Sequence, residues 1–440
     1  MWALHHATQV TAVVWVRSTS GGALTITCNG ASFSGSVIDT AVDDGCGACE
    51  VTGLSAGSSY VFVAFVAGIQ VAVGTLRTLP ANGDTYTIAF GTCVSYLREP
   101  LALLAIRDQY PDLAGMCWLG DNIYSSEPTT GNTVNVNGEA LTGVERVAPT
   151  NEALTKAQLY RHYRGYWQQS ATQKIHHAVP NWFVGDDHDH QVGNDWDGTI
   201  TSANNVFSWA LTQQEVDDME TWCNAAFRAY TKGNPNWPNF YFSVRVNDAL
   251  EMFFVDGVAY RDAIGSDGTL LGAAQKAWLT AGISASTATF KVVMSGKNFW
   301  GGADDFAHYD TERNEIRTFI NTWATWAVPG GLIWCSGDIH YPYIAFQDTA
   351  PMVNVCSSPL GTWYNTSVAD GYAGNKLWKS SGYTSVGATD VNCYPAIALL
   401  TVVGSERLDI RLVDYLGATR WQGSVMAGEQ SLSYNRQALG

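Results

Sequence analysis

The sequence predicts a layered α/β module behind a small β-sandwich, and three observations lead there. Four short runs, 86–90, 115–119, 181–184 and 331–335, carry the unbroken hydrophobicity of strands buried on both faces. Helical spacing of apolar residues marks 100–110, 151–169 and 212–230. Residues 1–80 instead alternate in short strands separated by turns.

Taken in order, the strands of the first module are expected at 10–16, 23–27 and 60–65. Gly53-Leu-Ser-Ala-Gly-Ser-Ser-Tyr60 resembles the turn before a late strand in fibronectin type III or immunoglobulin-like sandwiches, where the tyrosine packs at a corner. Leu79-Pro-Ala-Asn-Gly-Asp84 reads as the linker, which gives an accessory domain at 1–80 and a catalytic domain at 84–440. The accessory domain is expected to be a packing element. Residues 125–150, rich in Thr, Asn and Gly, read as a long loop able to cover a site. Thr212 and Glu215 are spaced as a capping box ahead of the helix that follows. Strands at 395–403 and 408–413 end the pattern.

Each of the four apolar runs leads into side chains that bind metals: Phe90-Gly-Thr-Cys93, Gly120-Asp-Asn-Ile-Tyr124, Asp186-Asp-His-Asp189 and Gly337-Asp-Ile-His340. Strand ends of a layered α/β sheet lie side by side, and their loops gather residues distant in sequence. A lone Gly-Asp is an ordinary turn, and a lone buried Cys93 is ordinary packing. Asp-Asp-His-Asp is different, because carboxylates crowded near a core repel one another unless a cation neutralises them. Donors converging at one edge suit two cations, and such a pair stabilises both oxygens of an in-line phosphoryl displacement. A phosphate ester is the expected substrate.

The order of these segments resembles the PhoD-like alkaline phosphatases and phosphodiesterases of the calcineurin-like metallophosphoesterase superfamily. The likeness extends to Leu159-Tyr-Arg-His-Tyr163, Phe254-Val-Asp-Gly-Val-Ala-Tyr-Arg-Asp262, Leu271-Gly-Ala-Ala-Gln-Lys-Ala-Trp-Leu279, Phe290-Lys-Val-Val-Met-Ser-Gly296 and Asp305-Phe-Ala-His-Tyr-Asp-Thr-Glu-Arg313. It implies a four-layer α/β/β/α catalytic core. It further implies a ferric ion on Cys93, Asp121, Tyr124 and His340, with a calcium or other divalent ion on Asp121, Asp187 and Asp338. A tyrosine three residues after the aspartate is also the purple acid phosphatase arrangement, so a phenolate-to-iron colour is expected. His188 would donate a proton to the leaving alcohol while a metal-activated hydroxide attacks phosphorus. Asn194 and Arg261 would contact substrate, and Asp189 and His190 would ligate or support ligands. One departure stands out: the family's Asp-Thr-Arg is here Asp256-Gly257-Val258, so an arginine is missing.

Composition fits this reading without demanding it. A net charge of −16 argues against a nucleic-acid backbone as partner, since binding one relies on Lys and Arg. Only 15% of residues are charged and 17 are Trp, which suggests a neutral surface and an extracellular or periplasmic setting. The chain shows neither a secretory signal nor a run long enough to cross a bilayer, and a monomer is expected. Of nine cysteines, Cys46 is a disulfide candidate with Cys49 or Cys28, whereas Cys117, Cys335 and Cys356 read equally well as buried thiols. His5 and His6 are expected at the surface, His176 and His177 facing solvent or capping a helix, and His308 at a helix start. Two other readings remain open. One is a phospholipase D-like phosphodiesterase; the other is a non-catalytic calcium-binding adhesive protein, suggested by tryptophans that look exposed.

Overall fold

Alternating burial along the first strands makes a two-sheet module. The computed structural model describes residues 1–95, 100–125, 133–143, 151–190, 211–263, 268–299, 306–324, 332–347, 352–361, 375–379, 397–414, 416–427 and 432–434. Strands β1 (Trp2–Ala7), β2 (Ala12–Arg17), β3 (Gly22–Cys28), β4 (Ala31–Ile38), β5 (Cys46–Val51), β6 (Ser59–Val66) and β7 (Ile69–Arg77) pair as β1-β2-β5 and β4-β3-β6-β7. In β6 the buried residues are Phe62, Ala64 and Val66, every second position, as packing on one face requires. Tyr60 closes the corner, its hydroxyl accepting the Ser55 N–H at 3.0 Å.

The cysteine expectation resolves toward thiols. Cys28, Cys46 and Cys49 are free. Cys46 and Cys49 both lie on β5, three positions apart, so strand geometry sends them to opposite faces.

The terminal histidines correct the sequence reading. β1 packs against the strand at 181–184, and His5 is fully buried, with ring centroids 5.5 Å from Trp15 and 5.1 Å from Phe183. Burial pushes its pKa down to about 3, so it is neutral. His6 Nδ1 accepts the Trp182 indole N–H at 3.0 Å. His176 is also buried, against Trp118 and Trp167, whereas His177 caps the C-terminus of the helix at 170–176, as expected, and stacks on Trp2 at 4.0 Å. The tryptophans that suggested an adhesive surface include Trp15, Trp182 and Trp334, all fully buried.

Asp44 ties the two regions together. Its carboxylate accepts hydrogen bonds from Arg17, from Arg164 at 2.9 Å and from the Tyr230 hydroxyl at 2.6 Å. Burial would raise its pKa, but Arg17, Tyr230 and Arg164 hold it below the ordinary 3.8. Asp44→Ala is therefore expected to cost about 2 kcal/mol, since hydrogen bonds to charged groups are lost. A depressed folded pKa means this stability is present above pH 3.8 and is lost as pH falls further. Thermal melts of both proteins should differ near neutrality and converge under acid conditions.

The chain continues with β8 (Thr85–Gly91), α1 (Ala102–Gln109), β9 (Leu113–Leu119), β10 (Val134–Val136), β11 (Glu139–Leu141), α2 (Glu152–Trp167), α3 (Ser170–His176), β12 (Asn181–Val184), α4 (Asp187–His190) and α5 (Gln213–Tyr230). It then runs through β13 (Phe242–Arg245), β14 (Leu250–Val255), α6 (Gly272–Ala285), β15 (Phe290–Ser295), α7 (Asp310–Ala324), β16 (Leu332–Ser336), β17 (Tyr343–Gln347) and β18 (Met352–Cys356). The last strands are β19 (Asn375–Lys379), β20 (Ile397–Val403), β21 (Arg407–Val413), β22 (Thr419–Met426) and β23 (Leu432–Tyr434). All four expected buried strands form, as β8, β9, β12 and β16, and so do the helices at α1, α2 and α5. The Thr212–Glu215 capping box is present at the start of α5.

The four strands do not share one sheet. β8, β9 and β12 run parallel in a sheet ordered β12-β9-β8-β20-β21-β22-β23, whereas β16 belongs to a second, ordered β13-β14-β15-β16-β18-β17-β19. One apolar core holds Phe90, Leu119 and Val184 of the first sheet with Phe254, Met294 and Cys335 of the second. Trp118 and Phe183 pack on the opposite side with α1, α2 and α5, and Trp334 packs with residues of α6 and α7. Alternate residues of each central strand thus enter different cores, so the strands are apolar throughout. The stretch 125–150 is not all loop: β10 and β11 form a hairpin across Asn137-Gly138, both at positive φ as a tight primed turn requires.

Candidate metal centre

The parallel strands bring their C-terminal ends to one place. Register sets Phe90 beside Cys117, Leu119 beside Val184, and Ser336 beside Cys356. The chain then turns sharply at each end, and four site residues take a left-handed backbone: Cys93 (φ 61°), Asp121 (φ 50°), Asp338 (φ 65°) and His340 (φ 54°). Such conformations cost roughly 1–2 kcal/mol each for residues with a Cβ. Their concentration here marks a site that the surrounding structure holds in place.

Two groups of donors result. Cys93 Sγ lies 3.4 Å from Asp121 Oδ2, and Tyr124 Oη lies 2.9 Å from the same oxygen and 2.8 Å from His340 Nε2. Cys93, Asp121 and His340 offer ligand atoms all within 4.8 Å of one another. Separations near 3 Å between donors are what bonds of about 2.0–2.3 Å to a shared ion produce. Asp121 also groups with Asp187 and His188, and Asp187 with Asp186 and Asp338. All eight of these residues except Asp338 and His340 are buried.

The electrostatics call for positive charge. Burial, then Asp187 and Asp338, pushes the Asp121 carboxyl well above its usual range, and burial with Asp121 does the same to the Cys93 thiol and the Tyr124 phenol. Asp121 Oδ1, Asp186 Oδ2 and Asp187 Oδ2 are buried without a hydrogen-bond partner among the described residues. Buried oxygens in that state are costly, and a cation is the ordinary remedy.

Around the donors stands a supporting frame. Asp189 Oδ2 accepts from the Asn122 side chain at 3.0 Å and from the Asp186 N–H at 3.1 Å, while its Oδ1 accepts from the Tyr163 hydroxyl. Asp189 therefore locks the Asp121 loop to the Asp186 loop. His190 bridges Asp256 and Asn224; burial alone would deprotonate it, but Asp256 raises its pKa. The Ser358 hydroxyl touches Cys93 Sγ at 3.2 Å and accepts the His340 N–H at 3.1 Å. Asp189 and His190 are thus bonded to neighbouring loops, and neither is among the three donor groups found in the described residues.

His188 is buried beside these donors, its ring 4.2 Å from that of Tyr124 and its Nε2 3.7 Å from Asp187 Oδ2. Arg261 is half-buried; burial would raise the pKa of Asp187, but Lys297 and His188, with a smaller contribution from Arg261, lower it. Val258 is buried in the adjoining turn, its N–H donated to Asp256 Oδ1 at 2.9 Å. Asn194 lies outside the described residues. His308 is exposed in a short 3-10 turn ahead of α7.

Sequence reasoning singled out the segment that begins at Asp186 but gave that residue no role of its own, and it missed Ser358 and Lys297. Lys297 follows β15 and is completely buried, its Nζ 2.8 Å from Asp186 Oδ1, 2.8 Å from Asp187 Oδ1 and 3.3 Å from Asp338 Oδ1. The available signal was a lysine two residues after the strand-like run 290–295, close to the strand-end position that betrays the other site residues.

A family profile for PhoD-like phosphatases matches residues 101–362. The chain belongs to the PhoD-like phosphatase family. Membership supports phosphate-ester hydrolysis at a metal site. A solved structure of PhoD superposes with a TM-score of 0.73 at 16% identity, covering 98% of this chain and 91% of that one. The purple acid phosphatase PPD1 from seeds of yellow lupin (Lupinus luteus) superposes at 0.59 with 10% identity, covering 96% and 73%. At such identities these likenesses speak for the fold, a mixed α/β architecture led by sandwich-like strands. No curated protein sequence matches the chain. Among the described residues no helix is long and apolar enough to cross a membrane.

Proposed function

We propose that this PhoD-like phosphatase hydrolyses phosphate mono- and diesters at neutral to alkaline pH, outside the cell or in the periplasm, with an iron ion on Cys93, Asp121, Tyr124 and His340. The observation that carries the proposal is the convergence of those four donors, from β8, β9 and β16, on one point. Thiolate, phenolate and carboxylate are anionic donors suited to a trivalent ion. An ion held there supplies a Lewis acid for a phosphoryl oxygen and makes water easier to deprotonate. The chain's own residues do the rest. Asp187 and Asp338 line the adjoining position of positive charge. His188, packed on Tyr124, donates its proton to the departing alkoxide oxygen. Arg261 and Asn194 orient the ester. The proposal includes the four-layer α/β/β/α core, which would keep both strand-end clusters rigid and dry.

The test is turnover of p-nitrophenyl phosphate and bis-p-nitrophenyl phosphate before and after iron removal. Activity that disappears with iron and returns on reloading supports the proposal, and unchanged activity in the stripped protein would refute it. Tyr124→Phe is expected to abolish the broad visible band of the iron protein, because no phenolate remains to transfer charge. A visible spectrum before and after substitution checks this.

A further inference from the structure

The family resemblance puts a second ion on Asp121, Asp187 and Asp338, and the side chains found there do not fit one. Lys297 Nζ already lies within 2.8 Å of Asp187 Oδ1 and 3.3 Å of Asp338 Oδ1, and Asp186 Oδ1 completes the cage at 2.8 Å. A calcium ion among these oxygens would need distances of about 2.3–2.6 Å and the same space. The ammonium donates to Asp187 and Asp338 and forms an ion pair with Asp186. We propose that the Lys297 ammonium supplies the second positive charge of the centre, so that the group formed by Asp186, Asp187 and Asp338 takes no metal ion.

The neighbouring strands are shaped for this lysine. β14 and β15 pair with Val255 beside Ser295, which brings Gly257 alongside Lys297 two residues later. A Cβ at Gly257 would stand 2.8 Å from Lys297 Cγ, so a larger residue would obstruct the lysine stem. This is the stretch in which Asp256-Gly257-Val258 replaces the family's Asp-Thr-Arg. The chain that lacks the arginine has a glycine that admits a buried cation from the next strand. Gly296 performs the same service for Asp186, whose Oδ2 would be 2.6 Å from an added Cβ. Lys297 and its first partner thus occupy fitted space, and a buried lysine is not tolerated without such pairing.

Lys297 would hold Asp187 and Asp338 in place and balance their charge as a fixed ion does. No metal has to be acquired at that position, and none can be lost from it. The inference rests on the proposed function for the iron group only.

The test is metal stoichiometry of the full-length protein by elemental analysis, followed by calorimetric titration with Ca²⁺. The expected wild type holds about one equivalent of iron and takes up no calcium at this group. Lys297→Met, similar in length but neutral, should gain one calcium site, at least about 100-fold tighter than any in the wild type, whereas Lys297→Arg should not. The wild-type titration decides the matter even where a variant fails to fold. One iron and one tightly bound calcium in the wild type would overturn the role of Lys297 and leave the hydrolase reading intact. A wild type that binds no metal at all would overturn the hydrolase reading, and this inference with it.

Discussion

Asp121→Ala is expected to empty the iron site and to end turnover. Asp121 Oδ2 is the atom to which both Cys93 Sγ and Tyr124 Oη are bonded, at 3.4 and 2.9 Å, and Asp121 takes part in two of the three donor groups. Without it, Cys93 and Tyr124 are neutral buried groups, since burial raises the pKa of each. Iron should fall below a tenth of an equivalent, and kcat/KM should drop on the order of 10³-fold or more, because electrophile and water activation disappear together. The fold should survive. Burial, Asp187 and Asp338 all act against the Asp121 charge, so removing the carboxylate relieves repulsion when no metal is present. Elemental analysis, kinetics and a thermal melt on one preparation check the three statements. A variant that keeps its iron would remove Asp121 from the ligand set.

His188→Ala is expected to behave differently. The imidazole is packed on Tyr124, and the iron donors Cys93, Asp121 and His340 form a complete group without it. Iron content should remain at the wild-type level. The rate should fall by about 10²–10⁴ for esters of poor leaving groups such as alkyl alcohols, which need a proton on the departing oxygen. For p-nitrophenyl esters, whose leaving group needs little help, the fall should be small. The contrast between the two substrates is the diagnostic, because a merely structural role would lower both alike. Loss of iron in this variant would contradict the role given to His188.

Much of this molecule was legible in its sequence, and the parts that were not have a common cause. β8, β9, β12 and β16 were readable because a strand with packed cores on both faces carries apolar residues at every position. The donors were readable because thiol, phenol, carboxylate and imidazole recur directly after such strands. The partition of these strands between two sheets was not, because pairing depends on contacts between distant segments that leave no local pattern. β1 was overlooked for a related reason. His5 and His6 look polar, and only the docking of β1 against Trp167, Phe183 and Trp182 makes the burial of His5 and the half-burial of His6 sensible. Lys297 hid as a single lysine after a strand, and its meaning comes from three carboxylates contributed by two other segments. The departure at Asp256-Gly257-Val258 was visible as a missing arginine. The space that Gly257 leaves became visible only beside β15.

The central claim is that Cys93, Asp121, Tyr124 and His340 hold an iron ion on which hydrolysis depends. Elemental analysis of the purified wild-type protein, combined with its visible spectrum, tests that claim most directly. The account predicts iron near one equivalent and a broad visible band, with both diminished in proportion as a chelator removes activity. Iron-free protein that hydrolyses phosphate esters at the full rate would contradict it.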